Sequence, residues 1–300
     1  MNNHPLQLSV CIVTYQAHAY LRQCLDTFLK EIGNVSHEII VVDNGSRDGT
    51  LEMLSNDYPQ VFVLQNDANE GFTRPINKAM RQSSGQFVAL LNPDTITLPG
   101  AFQNLIQFMQ ENPGVGICGP KVLNEDRTLQ GPCRRGEPRP LAMIGYFFRL
   151  GRLFPMNERL NEYLLSYLDE NENHAVAGVA GSCMLVRRAV IDRIGYLDER
   201  FFAYQEDADY CRRARDDGWL VYYVPSAQII HFGGRGGSRV KPWRSIVEWH
   251  LSYFRYYRKH LAKDYWFLFN WLYYGIIAAK LTYAMLANLL RRQRFAGPRR

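Results

Sequence analysis

Between residues 8 and 123 the chain alternates short apolar, β-branched runs with amphipathic stretches, and this alternation is the strongest constraint on its fold. The run LSVCIVTY is followed by HAYLRQCLDTFLKEI, in which Leu21, Leu25, Phe28, Leu29 and Ile32 recur at helical spacing. EIIVVD precedes an Asn44-Gly45-Ser46 turn and the helix DGTLEMLSNDY, which Asp48 is placed to cap. VFVLQN, the turn and helix of NEGFTRPINKAMRQSSG, QFVALLNPD, the helix of LPGAFQNLIQFMQENP and the strand GVGICGPKVL complete the series. Strands joined by crossovers of this length lie parallel. The pattern therefore predicts an α/β architecture, a mostly parallel central sheet with helices on both faces.

Polar residues gather where such a sheet binds ligands. Thr14 and Tyr15, Asp43 and Asn44, Asn66, and Asn92 with Asp94 each close a predicted strand at its carboxyl end, the edge at which open α/β sheets place their ligands. Any one of them is equally well a turn former or a helix cap. Four in succession on one edge point to a site.

Composition and missing motifs narrow the chemistry. With 300 residues, 47% of them hydrophobic, the chain can bury a substantial core. The six cysteines are scattered without a C-x-x-C pair, which argues against a zinc site or disulfide framework and fits a reducing compartment. The N-terminus lacks a basic segment followed by a long apolar one, so a cytoplasmic location is expected. Neither G-x-G-x-x-G nor G-x-x-x-x-G-K-[ST] follows a strand, and G-x-S-x-G is absent, which disfavours dehydrogenases, P-loop NTPases and serine hydrolases. Carboxylates remain. Asp94, flanked by Asn92, offers hard oxygen ligands to Mg²⁺ or Mn²⁺, the usual means of holding a diphosphate without a glycine cradle. Asp43 can accept an N–H from a nucleobase edge.

Residues 131–167 form a proline- and arginine-rich excursion over the active edge, in which Arg134 and Arg135 read as solvated loop residues, with a phosphate contact the alternative. Order returns with AGSCMLVRR as a strand, RAVIDRIG as a short helix, EDADYCRRARDDG as a helix stopped by Gly218, and WLVYYVP and QIIHF as two strands. Just before that longer helix, FFAYQEDADYCRR crowds Glu206, Asp207 and Asp209 behind Phe201, Phe202 and Tyr204. A helix start accounts for Asp209, which can pair with Arg213 one turn on. A Glu-Asp pair behind aromatics is costly to desolvate unless a cation or a reaction uses it.

In their order along the chain IVTYQ, VVDNGSRDGT, NEGFTRPIN, LLNPD, AGSCMLVRR and FFAYQEDADYCRR resemble the motifs of family 2 glycosyltransferases, and NPD with AGSCMLVRR resembles the rhamnosyltransferase branch. The resemblance covers roughly residues 7 to 235 and implies the Rossmann-like GT-A fold. It implies an inverting transfer from a nucleotide-diphosphate sugar, dTDP-L-rhamnose or alternatively a UDP-sugar, to a hydroxyl of a glycan or lipid-linked sugar. Carried over residue by residue, Thr14, Tyr15 and Asp43 would hold the nucleoside and Asp94 would be the metal carboxylate, with Asn92 where stricter forms have a second acid. Asp207 would be the catalytic base, with Glu206 shaping its field, and His231 resembles a histidine that some relatives use as an additional metal ligand. Asn44 belongs to the same strand-end set, Gly71 to a turn near the donor, and Gly181 and Ser182 are small enough to let the acceptor approach the backbone.

The net charge of +6 hides an asymmetry. Residues 239–300 hold 13 Lys/Arg against 2 Asp/Glu, while residues 1–238 hold 22 against 27. The chain is accordingly divided into a catalytic unit, 1–238, and a basic, aromatic-rich helical tail, 239–300. From Tyr265 to Leu290 the tail has no acid, and Asn270, Tyr273, Lys280, Asn288 and Arg291 form one helical stripe. Attachment in the plane of the cytoplasmic membrane surface is the favoured reading, a single span the next, and packing on protein the third. The uninterrupted apolar run argues against a nucleic-acid partner. An inactive sugar-nucleotide-binding module is the other rival.

Overall fold

The computed structural model describes residues 6–154, 156–234 and 242–290. Its first half follows the predicted alternation: β1 (Leu8–Thr14), α1 (His18–Glu31), β2 (His37–Asp43), α2 (Thr50–Asp57), β3 (Phe62–Gln65), α3 (Thr73–Gln82), β4 (Phe87–Leu91), a short β5 (Thr95–Thr97), α4 (Ala101–Glu111) and β6 (Val115–Leu123). The apolar runs are buried because both faces of the sheet are covered: every residue of β1, β4 and β6 is buried, and α1 turns Leu21, Leu25 and Phe28 inward. At roughly 1.5–3 kcal/mol for each fully buried large aliphatic or aromatic side chain, these rows supply the main driving force for folding.

The excursion holds a two-residue β7 (Arg134–Arg135) and three short helices, α5 (Pro140–Phe147), α6 (Leu150–Leu153) and α7 (Glu158–Asn161). It is followed by β8 (His174–Ala175), β9 (Gly178–Val179), β10 (Cys183–Arg187), α8 (Arg188–Ile194), α9 (Glu206–Asp216) and β11 (Leu220–His231). In the main sheet the strands run β3-β2-β1-β4-β10-β6-β11-β5, with β8 beside β11, while β7 pairs with β9. Most central neighbours are parallel, but β10 is antiparallel to both β4 and β6, with Cys183 opposite Leu91. That reversal matters for function, because it carries the turn before β10 to the carboxyl end of β4.

Sequence and structure differ at WLVYYVP and QIIHF, which form one strand, β11, rather than two. Its register against β6 shifts between Val224 and Gln228. Pro225, within that interval, has no N–H for the ladder, so the strand bulges there without ending.

Beyond the sheet, α10 (Pro242–Tyr256), a wide π turn over Tyr257–Leu261 and α11 (Phe267–Leu289) form a second core with the excursion. Ala142, Met143 and Tyr163 meet Phe201, Tyr253, Tyr256, Tyr257 and Tyr273 there. The polar stripe anticipated on the tail faces this protein core: Tyr257 Oη donates to Asn270 Oδ1 at 2.5 Å, Tyr253 and Tyr273 hydroxyls lie 2.6 Å apart, and Lys280 Nζ is 3.2 Å from His250 Nε2. Among the described residues no helix is long and apolar enough to cross a membrane, because these polar groups interrupt α11, and the single span expected as second reading is not supported. The expected boundary at 238/239 and Arg291 of the stripe lie outside the described residues.

Candidate active site

Four strand ends and two turns build the site. At the end of β1, Thr14 is fully buried with its hydroxyl lacking a protein partner. Across from it, Asp43 ends β2 and turns one oxygen, Oδ2, onto the backbone N–H groups of Gly45 (3.1 Å) and Ser46 (2.9 Å). Its other oxygen, Oδ1, is buried and unpartnered. Orphaned acceptors of this kind are rare in folded proteins and cost about 1–3 kcal/mol, so a donor from a ligand fits there. Beside them a cavity of about 400 Å³ is lined by Tyr15, Gln16, Gly45, Arg47, Asp67, Asn69 and Arg244. Arg244 belongs to α10, so the tail contributes to this cavity, and its guanidinium also lies 3.7 Å from the centre of the Phe202 ring. Nothing in the local sequence around Arg244 announces this; only the tertiary packing does.

Asn44 is used within the protein. Its amide nitrogen donates to Gly71 O at 2.7 Å and its oxygen accepts from Asn66 Nδ2 at 2.9 Å, which pins the loop after β3 to the end of β2. Gly71 has φ +92°, and a β-carbon there would come within 2.4 Å of Phe202 O. Only glycine allows this approach, through which Phe72 N donates to Phe202 O at 2.7 Å. Phe202 therefore packs against the loop after β3, whereas Phe201, expected in the same aromatic wall, is buried in the second core.

After β4, Asn92 and Asp94 meet His231 at the end of β11. His231 Nε2 lies 3.2 Å from Asp94 Oδ1 and 3.2 Å from Asn92 Nδ2, and Asp94 is only 2% exposed. The opposite ring nitrogen, Nδ1, is 2.8 Å from Gln130 Oε1. Gln130 is oriented by its own amide N–H groups, which donate to Asn124 Oδ1 and to His231 O, both at 3.2 Å. Its oxygen therefore accepts from Nδ1–H, so the Nε2 lone pair accepts from Asn92 Nδ2 while lying beside a carboxylate oxygen of Asp94. Adjacent ligands of an octahedral Mg²⁺ or Mn²⁺ lie about 3 Å apart at bond lengths of about 2.1 Å. The Asp94–His231 separation thus fits one divalent ion, with Gln130 fixing the histidine tautomer. Among the described residues no cluster of three or more His, Cys, Asp or Glu side chains is arranged for a metal, so substrate or water oxygens would have to complete the shell.

The same edge carries the acidic pair. Asn92 N donates to Ser182 O at 2.9 Å, joining the β4 turn to the turn before β10. Gly181 N in turn donates to Asp207 Oδ2 at 2.9 Å, and a β-carbon at Gly181 would sit 3.6 Å from that oxygen. Ser182 Oγ is buried without a partner. Tyr204 and Gln205, with φ of +68° and +63°, bend the chain so that α9 begins at Glu206 with its acids on this edge. Two successive non-glycine residues in the left-handed region are costly, and such strain concentrates at working sites. Burial first, and then the charge of Asp207, push the Glu206 carboxyl up to about 8. Glu206 is therefore mostly neutral at neutral pH.

Arg135 is the residue the sequence misplaced. It is not solvated: it is buried, and its guanidinium meets Asp207 Oδ2 at 2.7 Å and Val179 O at 2.9 Å. Arg134 is buried as well, donating to Leu168 O and Asp169 O and stacking over Tyr223. Pairing of β7 with β9 sets the arginines in register with Val179 and Gly178. Among the described residues Asp207 Oδ1 accepts the N–H of Ala208, at 2.7 Å, so Oδ2 is anchored while Oδ1 retains acceptor capacity.

Comparison with known proteins points to one family and one fold. The profile described as Glycosyl transferase family 2 matches residues 9–195. An N-acetylglucosaminyl-diphospho-decaprenol L-rhamnosyltransferase of Mycobacterium tuberculosis is 29% identical over 96% of this chain and 95% of its own length. A hexosyltransferase of low-salt glycan biosynthesis from Haloferax volcanii is 29% identical over 75% of this chain and 66% of its own. Among solved structures, a mannosyltransferase from Pyrobaculum calidifontis in complex with GDP-Man and Mn²⁺ superposes with a TM-score of 0.56 at 15% identity, covering 85% of this chain and 65% of that one. TarS of S. aureus gives 0.54 at 17%, covering 82% and 64%. The chain spans just under two thirds of either solved protein.

Proposed function

Since the chain belongs to glycosyl transferase family 2 and has the GT-A fold, we propose that this glycosyltransferase moves L-rhamnose from dTDP-L-rhamnose to a hydroxyl of a polyprenyl-diphosphate-linked sugar, in the making of a cell-surface polysaccharide. The observation that carries this reading is the convergence, on one sheet edge, of the Asp94–His231 pair with the Gly181–Asp207 contact, linked through Asn92 and Ser182. The likeness to the mycobacterial rhamnosyltransferase along nearly the full chain supports the choice of sugar and acceptor.

In this reading Asp43 Oδ1 and Thr14 hold the nucleoside beside Tyr15, and Arg47 and Arg244 face the diphosphate across the cavity. Asp94 and His231 would hold the divalent ion, with Asn92 beside them; when bound, that ion supplies positive charge to the departing diphosphate. Asp207 accepts the proton of the acceptor hydroxyl at Oδ1 as the new bond from that oxygen to the anomeric carbon forms. The bond from the anomeric carbon to the phosphate oxygen breaks, and the nucleoside diphosphate leaves on the opposite face, inverting the centre. Arg135 and Gly181 N fix Asp207 through Oδ2, and protonated Glu206 adds no negative charge beside it. The acceptor enters over Gly181 and Ser182. The basic tail and the apolar outer face of α11, with Trp271 at 71% and Leu272 at 64% exposure, support a seat on the cytoplasmic face of a membrane.

Calorimetric titration with dTDP-, UDP- and GDP-sugars, with and without Mn²⁺, tests the donor assignment. The expected result is tightest binding of dTDP-rhamnose, strengthened by Mn²⁺ in the wild type and not in His231→Ala. Preference for a UDP-sugar would replace rhamnose in this account, and binding of none of them would refute it.

A further inference from the structure

The excursion carries a surface that the catalytic reading does not use. After α5 the chain runs FFRLGRLFPMNER, and in it Phe148 is 69%, Leu153 72%, Phe154 55% and Met156 91% exposed. Four large apolar side chains presented within nine residues are unusual on a protein that meets only water. They alternate with Arg149, Arg152 and Arg159, all exposed, against one acid, Glu158. The segment is held against the tail: the ring of Phe147 packs 5.7 Å from that of Trp249, and Lys280 Nζ of α11 lies 4.0 Å from the Phe147 ring centre. The exposed residues that follow Phe147 therefore extend from the same helical assembly as α11. Near its other end the excursion holds Arg135, which grips Asp207.

We propose that residues 148–154 together with Met156 form a foot that inserts into the surface of an anionic lipid bilayer, apolar side chains entering the acyl boundary and arginines meeting the headgroups. Charge selects this occupant: the foot carries two arginines, with Arg159 close behind it, and the tail sequence holds 13 Lys/Arg against 2 Asp/Glu, a combination suited to a negatively charged surface and poorly suited to a second copy of an equally basic chain segment. The foot deepens the membrane location proposed above by making the loop that orients the base also the loop that touches the bilayer. A sugar on a membrane-bound diphosphate would then be met at a height set by one continuous segment, from Arg135 to Met156.

The test is vesicle flotation of the full chain with phosphatidylcholine alone and with about one third phosphatidylglycerol, where acidic lipid attracts juxtamembrane cations. Three proteins are compared: wild type, a foot variant (Phe148→Ser, Leu153→Ser, Phe154→Ser, Met156→Ser), and the single variant Met156→Ser, whose exposure makes misfolding a poor explanation of any loss. The wild type is expected to float with the acidic vesicles and weakly with the neutral ones, the foot variant to lose at least tenfold in binding, and Met156→Ser to lose part of it. The readout is lipid binding and needs no donor or turnover, so failure of the catalytic reading leaves it intact. Wild-type-like flotation of the foot variant, or equal binding to both vesicles, would overturn the proposal. So would absence of flotation together with a dimer that the foot substitutions dissociate, which would make this face a contact between copies.

Discussion

Asp207→Asn lowers the turnover number by about 10³-fold, within the range for loss of a general base, while the affinity for donor changes little. The asparagine keeps the size and can still accept from Gly181 N, but it cannot take a proton from the acceptor hydroxyl. Arg135 would lose its ion-pair partner while remaining buried, so thermal unfolding should be recorded alongside to separate chemistry from folding. Loss of turnover with donor titration unchanged is the expected pair of results. Undiminished transfer would remove Asp207 from the mechanism, and loss of donor binding in parallel would make it a binding residue. An inactive sugar-nucleotide-binding module, by contrast, would show no transfer in the wild type either.

Asp209→Ala should give the largest loss of stability, about 3–5 kcal/mol, the usual cost of removing one partner from a buried charge cluster. Asp209 is fully buried, with Oδ1 2.5 Å from Lys259 Nζ and 2.7 Å from His260 Nε2, and Oδ2 3.0 Å from Arg213 Nε. Removing it takes the shared acceptor from the Lys259 and Arg213 charges and from the His260 ring, and unties the π turn from α9. Burial alone would raise this carboxyl; hydrogen bonds from His260 and Lys259 and the charge of Arg213 outweigh it and hold the group below its ordinary value. A depressed folded-state pKa stabilises the protein above the unfolded value, near 4, and that contribution fades as pH falls through the lower folded one. The difference in melting temperature between wild type and variant, measured by calorimetry, is therefore expected to be full at neutral pH and to narrow in acid. A gap that widens on acidification would contradict the assignment.

The contrast between Asp209 and Asp207 shows what the sequence disclosed. The expected pairing of Asp209 with Arg213 is present because a four-residue helical spacing fixes it locally. Its partners Lys259 and His260, fifty residues on, depend on how the tail folds back, and no local pattern encodes that. The central alternation was legible because burial on two faces leaves continuous apolar runs and crossovers need helices of a certain length. Gathering of Asp43, Asn92 and Asp94 on one edge followed from the same rule. Arg135 was misread because an arginine beside prolines carries no sign of burial; only the β7–β9 pairing turns it toward Asp207. Arg244 was missed for the same reason, since it reaches the cavity from a helix assigned to the tail. The polar stripe of the tail was visible as a stripe, but which side of it faced protein was decided by Tyr253 of α10 and Tyr257 of the π turn.

The most direct measurement is a transfer assay with purified full chain, dTDP-L-rhamnose, Mn²⁺ and a short-chain polyprenyl diphosphate carrying N-acetylglucosamine. The account predicts one dTDP released for each rhamnosyl group added, with the new linkage of opposite anomeric configuration to the donor. Nucleotide release without sugar addition, or a product that retains the donor configuration, would contradict a single displacement driven by one carboxylate base.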